Sequence, residues 1–396
     1  MTRVGIVGNG VAATTAIREI RKSDESFDIE IFTDERWGYY PRPNLIDYIA
    51  GRRTGEDVVQ FGYDWYLKND VKVNLASPIT KIGTKDLSLE TFGNSHGKFD
   101  RILVAVGSHP FVPPIQGAEK KGVHVLRTLD DAIDIREAVK GAGREIVVGG
   151  GILGVELAAA MKQVGGDPII VTNVDTLLPL QLDAGASSVL LHRLEEMGIT
   201  VLLNFTCNQV IGDVSVAGVV SSKGDTIEGD LIVVATGVRS NTYLARQSGL
   251  AVSKAIAVDN HMETSAKGIY AAGDCMECDG EWYGIIPWAV STSRIAARNI
   301  VEPGSANFAR VTPQNTLQVV GIDLTSIGIV RPETPEFESV VQIDREQGRY
   351  FKAVIKNDKL VGGIAMGDRK VSMKLRRLVT EEVDVSDQRQ TLFEIE

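Results

Sequence analysis

The 396-residue sequence predicts an α/β protein with two Rossmann-like, three-layer units and a C-terminal α+β domain. Three observations predict this fold class. One glycine-rich turn begins at Gly8 and a second at Gly149, each between an apolar run and a helical pattern, and after Pro303 the pattern changes to alternating strands. Because both glycine turns have a strand–turn–helix–strand setting, they indicate an internal repeat of dinucleotide-binding units.

The composition argues against several classes of function. Apolar residues make up 43% and charged residues 24% of the chain, as in ordinary globular proteins. The net charge of −10 disfavours a nucleic-acid partner. There is no apolar run of the roughly 18 residues that a membrane helix needs, and no signal-type segment. Three cysteines are too few for a disulfide framework. We therefore expect a soluble, cytoplasmic protein with no metal site and no nucleic-acid or membrane partner.

The first unit opens with an apolar strand over residues 4–7 and the turn Gly8-Asn9-Gly10-Val11-Ala12-Ala13. Gly8 permits the turn, Gly10 has no side chain to block a pyrophosphate, and Ala13 lets the helix pack on the strand. The free N–H groups at the helix N-terminus would bind the anion.

The second strand of this unit, residues 29–32, is followed by Thr33, Asp34 and Glu35. An acidic residue here usually binds the ribose of a dinucleotide, and Glu35 is the preferred candidate. The alternative is a charged turn. The loop over residues 37–45 contains aromatic residues and Arg42, so it either contacts a planar or anionic cofactor or packs on the core.

A strand over residues 101–107 ends in Gly107, and the prolines at 110–114 predict a linker. The second unit has a strand over 145–148 and the full motif Gly149-Gly150-Gly151-Ile152-Leu153-Gly154. Its second strand, over 168–171, ends at Thr172 without a carboxylate to read the ribose and without a nearby Arg or Lys for a 2′-phosphate. Asp175 either reaches the ribose or belongs to a turn.

A strand that ends in Gly273-Asp274 puts a carboxylate at the sheet edge where α/β proteins bind ligands, so Asp274 could hold sugar hydroxyls. The helix that opens at Pro287-Trp288-Ala289 could direct its N–H groups at an electron-rich ring. Beyond residue 307, strands over 316–330, 338–344 and 350–366 precede a basic helix over 370–379. The charged last 15 or so residues are interpreted as a loose tail or an interface.

The chain resembles the FAD-dependent pyridine-nucleotide reductases with two dinucleotide domains, above all NADH:rubredoxin reductases and the flavin portion of the NADH-dependent nitrite reductase large subunit. The shared segments are Tyr40 to Leu45, Trp65-Tyr66, Gly107, Ala235 to Asn241, Gly273-Asp274-Cys275 and Leu360 to Asp368.

The resemblance implies FAD and NADH, or else NADPH, as cofactors. It implies an FAD-binding domain in two parts (1–113 and 241–306), an NAD(P)-binding domain (114–240) and a C-terminal α+β interface domain (307–396). The first glycine turn would bind the FAD pyrophosphate, Glu35 the adenosine ribose and Asp274 the ribityl chain, with Arg42 along the flavin. The implied cofactor-binding residues are Gly8, Gly10, Val11, Ala12, Ala13, Asp34, Glu35, Arg42, Pro43, Ile79, Ala105, Val106, Gly107, Gly273, Asp274, Trp288 and Ala289 for FAD, and Gly149, Gly151, Gly154 and Glu156 for the nicotinamide cofactor.

The chain departs from this family at two places. Relatives often have a lysine where this chain has Asp47, so Asp47 and Glu156 would repel each other unless Arg42 or another cation intervenes. Residues 40–51 contain no cysteine, which argues against thiol chemistry. Cys275 and Cys278 have the spacing of a redox disulfide or of half a metal site, but a Gly-Asp-Cys strand end also occurs in relatives without redox cysteines.

The resulting hypothesis is a flavoprotein that takes a hydride from NADH and passes electrons to a small redox protein, rubredoxin- or ferredoxin-like, or to a nitrite-reductase-type partner. No side chain need act as a catalytic acid or base. One alternative is an FAD-binding subunit of a larger complex with a vestigial nicotinamide site, and another is an NADH oxidase. The sequence does not set the oligomeric state, but relatives often form dimers through a C-terminal α+β domain, so the resemblance makes a homodimer one possible assembly.

Overall fold

A computed structural model describes residues 1–309 and 314–394 of the chain. It contains two parallel sheets of five strands each and a C-terminal antiparallel sheet, which confirms the predicted fold class. The domain boundaries drawn above stay a prediction. In the described part of the chain, no helix has the length and apolar character needed to cross a bilayer.

The bounds of the elements follow the chain. Residues 1–110 form β1 (Arg3–Val7), α1 (Val11–Ser23), β2 (Asp28–Phe32), α2 (Asn44–Ile49), α3 (Gly55–Val58), α4 (Tyr63–Lys68), β3 (Val71–Asn74), β4 (Lys81–Gly83), β5 (Ser88–Thr91), β6 (Asn94–His96), β7 (Arg101–Val104) and β8 (Ser108–Pro110). The next segment forms β9 (Val123–Val125), α5 (Leu129–Gly141), β10 (Glu145–Val148), α6 (Ile152–Gln163), β11 (Pro168–Val171), α7 (Ala184–Glu196), β12 (Thr200–Leu202), β13 (Cys207–Ile211), β14 (Gly218–Ser221), β15 (Thr226–Glu228), β16 (Leu231–Val234) and β17 (Val238–Ser240).

The remaining elements complete the first sheet and form the C-terminal domain. They are α8 (Tyr243–Gln247), β18 (Ile256–Val258), β19 (Ile269–Ala271), a 3-10 turn (Gly273–Cys275), β20 (Met276–Cys278), α9 (Ile286–Val301), β21 (Gln314–Val319), β22 (Ile322–Gly328), β23 (Glu338–Asp344), β24 (Arg349–Lys356), β25 (Lys359–Met366), α10 (Arg369–Thr380) and a last 3-10 turn (Ser386–Gln388).

The two parallel sheets have matching topologies. The first has the order β19-β7-β1-β2-β3 and the second the order β12-β11-β10-β16-β9. In each sheet the strand that leads into a glycine turn is the middle one, and every residue of β10 and β11 is buried. Because parallel strands are covered by helices on both faces, such continuous burial is expected there. Both glycine turns therefore lie at the carboxyl edge of a sheet, between two neighbouring strands.

The C-terminal sheet has the order β21-β22-β25-β24-β23 and is covered on both faces. Tyr350, Ile364 and Met366 on one face share a core with the second parallel unit. Phe351 and Ala353, whose side chains lie on the opposite face of the sheet from Tyr350, share a core with α10. The sheet thus joins the second unit to α10, as the period-two alternation of strand side chains requires.

The described residues after α10, up to residue 394, do not form a loose tail, so that alternative was wrong, whereas the interface stays a prediction. The Leu392 side chain is fully buried, and Val385 packs in the same core. Arg389 forms ion pairs with Glu338, at 2.8 Å, and with Asp358. Charged composition suggested a solvated tail, but its few apolar residues cover the core beside α10.

A buried ion pair joins the second unit to the C-terminal domain. Asp183 precedes α7, and its Oδ1 accepts the backbone N–H of Ala186 at 3.0 Å. Its Oδ2 accepts a hydrogen bond from Tyr350 Oη at 2.7 Å and from Lys352 Nζ at 2.8 Å. The Lys352 and Asp183 side chains are only 10% and 16% exposed. Asp183 therefore both caps a helix and binds the neighbouring sheet.

We expect Lys352→Met to lower the free energy of unfolding by about 3 kcal/mol, because it leaves a buried carboxylate without its cation. Urea denaturation measures this. The control is Lys359→Met, whose pair with Glu382 is exposed, with a loss below about 1 kcal/mol. Burial raises the pKa of Asp183, but its hydrogen bonds to Ala186, Lys352 and Tyr350 outweigh it and leave the pKa below its usual value.

A lowered pKa in the folded state means that the Asp183 contribution is complete above the unfolded pKa of about 3.9 and lost as pH falls below it. The difference between wild type and Lys352→Met should therefore shrink below about pH 4. A difference that stayed constant down to pH 3 or so would contradict this assignment.

Candidate functional site

The first glycine turn is pressed against the end of a neighbouring strand. Gly8 has φ +107°, and a Cβ there would lie 2.2 Å from the carbonyl oxygen of Ala105. Gly10 precedes α1 with an ordinary φ of −86°, and a Cβ there would meet nothing within 4 Å. Ala13 is fully buried and Ala12 is nearly so, whereas Val11 is half-buried. The first turn of α1 therefore faces open space that a ligand can fill.

The second glycine turn repeats this geometry. Gly149 has φ +129°, and a Cβ there would lie 2.3 Å from the carbonyl oxygen of Ala235. A Cβ on Gly151, before α6, would meet nothing within 4 Å, and one on Gly154 would lie 2.0 Å from the Gly149 carbonyl oxygen. No side chain caps α1 or α6. Each helix thus offers free N–H groups to an anion.

An unpaired buried donor lies within the first turn. Asn9 Nδ2 is buried and has no hydrogen-bond partner in residues 1–309 and 314–394. Asn9 is itself fixed, because its Oδ1 accepts a hydrogen bond from Tyr66 Oη at 2.9 Å. A buried donor without a partner costs free energy, so this atom fits a ligand that brings an acceptor atom.

Glu35 and Arg42 pair with each other at the mouth of this site. Arg42 Nη2 lies 2.6 Å from Glu35 Oε1, and Tyr40 Oη donates a hydrogen bond to Glu35 Oε2. Arg42 Nη1 also donates to the carbonyl oxygen of Arg127 at 2.7 Å. Burial lowers the pKa of Arg42, but the interactions with Glu35, Tyr40 and Asp34 together outweigh it and the pKa is raised. Asp34, in contrast, is exposed.

Asp274 lies at the carboxyl edge of the first sheet, as predicted for a strand end. Its Oδ2 accepts a hydrogen bond from Ser108 Oγ at 2.8 Å and lies 3.5 Å from Arg127 Nη2. Burial and the charge of Arg42 lower the pKa of Arg127. Gly107 makes room for this arginine, because a Cβ there would lie 3.2 Å from Arg127 Nη2.

Small residues bring α1 and α9 together behind Asp274. Gly273 has φ +82°, and a Cβ there would lie 3.0 Å from Ala12 Cβ and 3.6 Å from Ala289 Cβ. Trp288 is buried next to Ala289, edge-on to the rings of Tyr283 and Phe308. The remaining predicted residues lie around this edge: Ala105 is buried, Ile79 and Val106 are half-buried against the first core, and Pro43 directly precedes α2.

The structure thus gathers most of the predicted first site at one sheet edge, and it adds residues that the sequence analysis missed. Asn9 lies inside the glycine motif and Ser108 follows the predicted strand-end glycine, so both positions carried a signal. Arg127 carried none, because it precedes α5 in the second unit and reaches the first site only through the tertiary fold.

Glu156 contacts the C-terminal domain. The backbone N–H of Val320 donates to Glu156 Oε1 at 2.7 Å. Burial raises the pKa of Glu156, against the effects of the Val320 N–H and of Arg52, and the charge of Asp47 raises it further.

Arg42 does not separate Asp47 from Glu156, so that suggestion was wrong and the other possibility, a different cation, holds. Asp47 pairs with Arg52 at 2.8 Å and with Arg53 at 3.3 Å. These arginines follow α2 directly, whereas Arg42 is held by Glu35 on the other side of Pro43.

The end of β11 differs from a usual ribose-reading position. Thr172 is buried, and a Cβ on Gly150 would lie 3.0 Å from Thr172 Cβ, so the threonine packs beneath the glycine turn. Asp175 is exposed. No Arg or Lys lies near this loop in the sequence, but Arg331 of the C-terminal domain reaches it, with Nη2 3.2 Å from Thr176 Oγ1 and Nε 2.8 Å from the Leu182 carbonyl oxygen.

Comparisons with known proteins agree with this arrangement. The family described as pyridine nucleotide-disulphide oxidoreductase matches residues 2–297, and the rubredoxin NAD+ reductase C-terminal domain matches residues 313–383. NAD(P)H nitrite reductase of Bacillus subtilis is 31% identical over 383 residues, which cover 96% of this chain and 48% of that protein. The assimilatory nitrate reductase electron transfer subunit of the same organism is 30% identical, over 100% of this chain and 51% of that protein. The chain spans about half the length of these two relatives.

Two solved structures have the same fold over nearly their whole length. NADH:rubredoxin oxidoreductase from Clostridium acetobutylicum is 26% identical with a TM-score of 0.82, and 98% of this chain and 97% of that chain are covered. A ferredoxin reductase from Rhodopseudomonas palustris is 22% identical with a TM-score of 0.89, covering 100% and 98%. The second likeness concerns the fold alone.

The thiols of Cys275 and Cys278 contact different parts of the backbone. Cys275 Sγ donates to the carbonyl oxygens of Val104 and Ala272, both at 3.3 Å, whereas Cys278 Sγ points to the Asp259 carbonyl oxygen at 3.6 Å. Burial raises the pKa of the Cys275 thiol to about 12 and that of Cys278 to about 11. Because the thiolate is the reactive form, this environment disfavours redox chemistry at the pair.

We expect the air-oxidised protein to contain three free thiols, all slow to react with Ellman's reagent at pH 8. With pKa values near 11 or above, including that of Cys207, only about one thiol in a thousand or fewer is ionised at that pH. Unfolding in urea should speed the reaction at least roughly a hundredfold, since an unperturbed cysteine has a pKa near 8.5. A count of one thiol after unfolding would instead reveal a disulfide.

Proposed function

The chain belongs to the pyridine nucleotide-disulphide oxidoreductase family, and from that premise we propose that it is an FAD-dependent NAD(P)H oxidoreductase. Electrons would pass from NADH through FAD to a small redox protein of the rubredoxin or ferredoxin kind, or to a nitrite-reductase-type partner. The observation that carries the proposal is the pair of glycine turns, each opening a helix N-terminus onto free space at Gly10 and Gly151. The corresponding domains would be 1–113 with 241–306 for FAD, 114–240 for NAD(P)H and 307–396 at the C-terminus.

The first site would hold FAD. Gly8 and Gly10 to Ala13 would surround the pyrophosphate. Asn9 Nδ2, which has no hydrogen-bond partner in the described residues, would donate to an acceptor atom of FAD. Asp274 would bind the ribityl hydroxyls, and Arg42 would lie along the flavin. Ile79, Ala105, Val106 and Gly107 would border the adenine and phosphates, and Trp288 and Ala289 the pyrimidine edge.

The adenosine ribose has two candidate ligands here. Glu35 Oε1 accepts from Arg42 and Oε2 from Tyr40, and each carboxylate oxygen has two lone pairs, so Glu35 can also accept a ribose hydroxyl. The exposed Asp34 is the second candidate. Bound FAD supplies the chemistry, because it accepts a hydride and releases electrons singly. The chain itself supplies position and charge: Arg42 and Arg127, paired with Glu35 and Asp274, lie at the sheet edge where FAD would bind.

The second site would hold the nicotinamide cofactor. Gly149, Gly151 and Gly154 would accommodate its pyrophosphate, and Glu156 would lie near the nicotinamide. NADH is favoured over NADPH, because the exposed Asp175 carboxylate follows β11 and would repel a 2′-phosphate. Arg331, which reaches this loop from the C-terminal domain, donates to the Leu182 carbonyl oxygen.

A second candidate function is an electron-transfer subunit whose nicotinamide site is vestigial. Two observations favour it: Thr172 stands buried where a ribose-reading acid is usual, and one Glu156 oxygen is taken by the Val320 N–H. An anaerobic spectrum of the purified protein with NADH and with NADPH distinguishes the candidates. Bleaching of the flavin by NADH supports the oxidoreductase, and an oxidised flavin with both nucleotides supports the subunit. Rapid oxidation of NADH with oxygen as the sole electron acceptor would point to an NADH oxidase.

We expect Gly10→Val to abolish FAD retention and Gly151→Val to keep FAD but lose its reduction by NADH. Both glycines have ordinary extended backbones with free space at the Cβ position, so the fold accepts a side chain that a bound phosphate does not. Flavin absorbance per protein and anaerobic titration measure the two effects, each at least about a hundredfold in affinity.

Gly62→Val is the matched control. Gly62 also precedes a helix with an extended backbone and nothing within 4 Å of a Cβ, so it shares the small loss of helix capping. The three variants should have nearly equal melting temperatures when stripped of cofactor. Full flavin content in Gly10→Val would contradict the assignment of the first site.

A further inference from the structure

Helix α10 carries the strongest concentration of positive charge on one described helix. Its twelve residues include five cations, Arg369, Lys370, Lys374, Arg376 and Arg377, and no acidic residue. The whole chain has a net charge of −10. The helix is therefore a local positive region on an acidic protein.

The burial of α10 separates an apolar face from a charged one. Val371, Leu375, Leu378 and Val379 are buried against the C-terminal sheet, where Leu375 covers Gly363. This spacing of three and four residues is sufficient to attach the helix. The basic residues are thus not needed for packing.

Four of the cations face solvent, together with an apolar residue. Arg369, Lys370, Arg376 and Arg377 are exposed, and Met373 between them is 62% exposed. We call these five residues the α10 surface. Within residues 1–309 and 314–394, none of its four cations forms an ion pair.

Nearby cations behave differently. Lys356, Lys359 and Arg389 each pair with a carboxylate, and Lys374 donates to the carbonyl oxygens of Thr391 and Glu394. Like charges held close together repel each other, and a carboxylate from another molecule would relieve this repulsion. A solvated helix face of ordinary composition would mix both signs of charge.

We propose that the α10 surface attracts and holds an acidic face of the small redox protein that accepts electrons, so the inference rests on the proposed function. The helix lies on the side of the C-terminal sheet that faces away from the second unit. Its action is therefore to steer and retain the partner, with electron exit elsewhere. Such steering raises association rates by a factor of about 10 to 1,000 at low salt and weakens as salt screens it.

The test uses rubredoxin, an acidic redox protein, as the probe, and the full-length FAD-loaded protein. Arg376→Glu with Arg377→Glu should lower kcat/KM for rubredoxin about tenfold at low salt and remove most of its salt dependence. Arg376→Gln with Arg377→Gln should give an intermediate loss. The control is Lys22→Glu with Lys68→Glu, which makes the same change of net charge at exposed positions on α1 and α4.

Several readouts separate this proposal from others. Flavin reduction by NADH and turnover with menadione, an uncharged acceptor, should be equal in all variants. An equal loss of kcat/KM for rubredoxin in the α10 and control variants, or no loss in either, would overturn the proposal. So would α10-dependent binding of duplex DNA or of anionic phosphatidylserine vesicles that exceeds binding of rubredoxin, because it would assign the surface to a different partner.

If NADH failed to reduce the flavin, the proposed function would fall while the surface could still be measured. Direct binding of rubredoxin at low salt, followed by calorimetry, does not depend on turnover. Binding that weakens about tenfold in the Arg376→Glu, Arg377→Glu variant supports the proposal. Rubredoxin that does not bind the wild-type protein overturns it.

Discussion

The structure depends on how closely each glycine turn approaches the last carbonyl group of a neighbouring strand. At Gly8 and at Gly149 even a methyl group would overlap that carbonyl oxygen. This approach brings the helix that follows to the carboxyl edge of its sheet, with its first N–H groups uncovered. Both parallel units meet the same constraint in the same way, through Ala105 in one and Ala235 in the other, so the repeat concerns atomic contacts as well as sequence.

The first site also depends on the second unit. Arg127 belongs to the segment between β9 and α5, yet it receives Arg42 through its carbonyl oxygen and directs its guanidinium toward Asp274. Gly107 leaves the space for this arrangement, because a Cβ there would lie 3.2 Å from Arg127 Nη2. Charge at the proposed FAD site is therefore set by residues of both parallel units.

Local patterns predicted most of the fold, because a strand or a glycine turn is specified within a few residues. The predicted strands over 145–148, 168–171 and 338–344 have the observed bounds, and the basic helix differs by one residue at each end. The hairpin turn at Val320-Gly321 was missed. Val320 has φ +44°, a conformation that a β-branched residue rarely adopts, so Gly321 alone signals the two-residue turn.

Contacts between distant segments could not be predicted in the same way. The Val320 N–H reaches Glu156, and Arg331 reaches the loop after β11, only because the C-terminal sheet packs on the second unit. In both cases the partner is fixed by tertiary packing, so the sequence showed one residue of the pair without the other. The pairing of Asp47 is different, because Arg52 and Arg53 lie only five and six residues further along the chain.

The double use of Asp183 has a consequence for how such proteins can be recombined. One oxygen of this carboxylate caps the N-terminus of α7, and the other accepts hydrogen bonds from a phenol and an ammonium group of β24. A chimera that joined the second unit of this chain to the C-terminal domain of a homologue would separate the carboxylate from its two donors. Asp183, Tyr350 and Lys352 therefore have to come from the same parent protein. Crossovers that keep these three residues together should yield folded hybrid proteins.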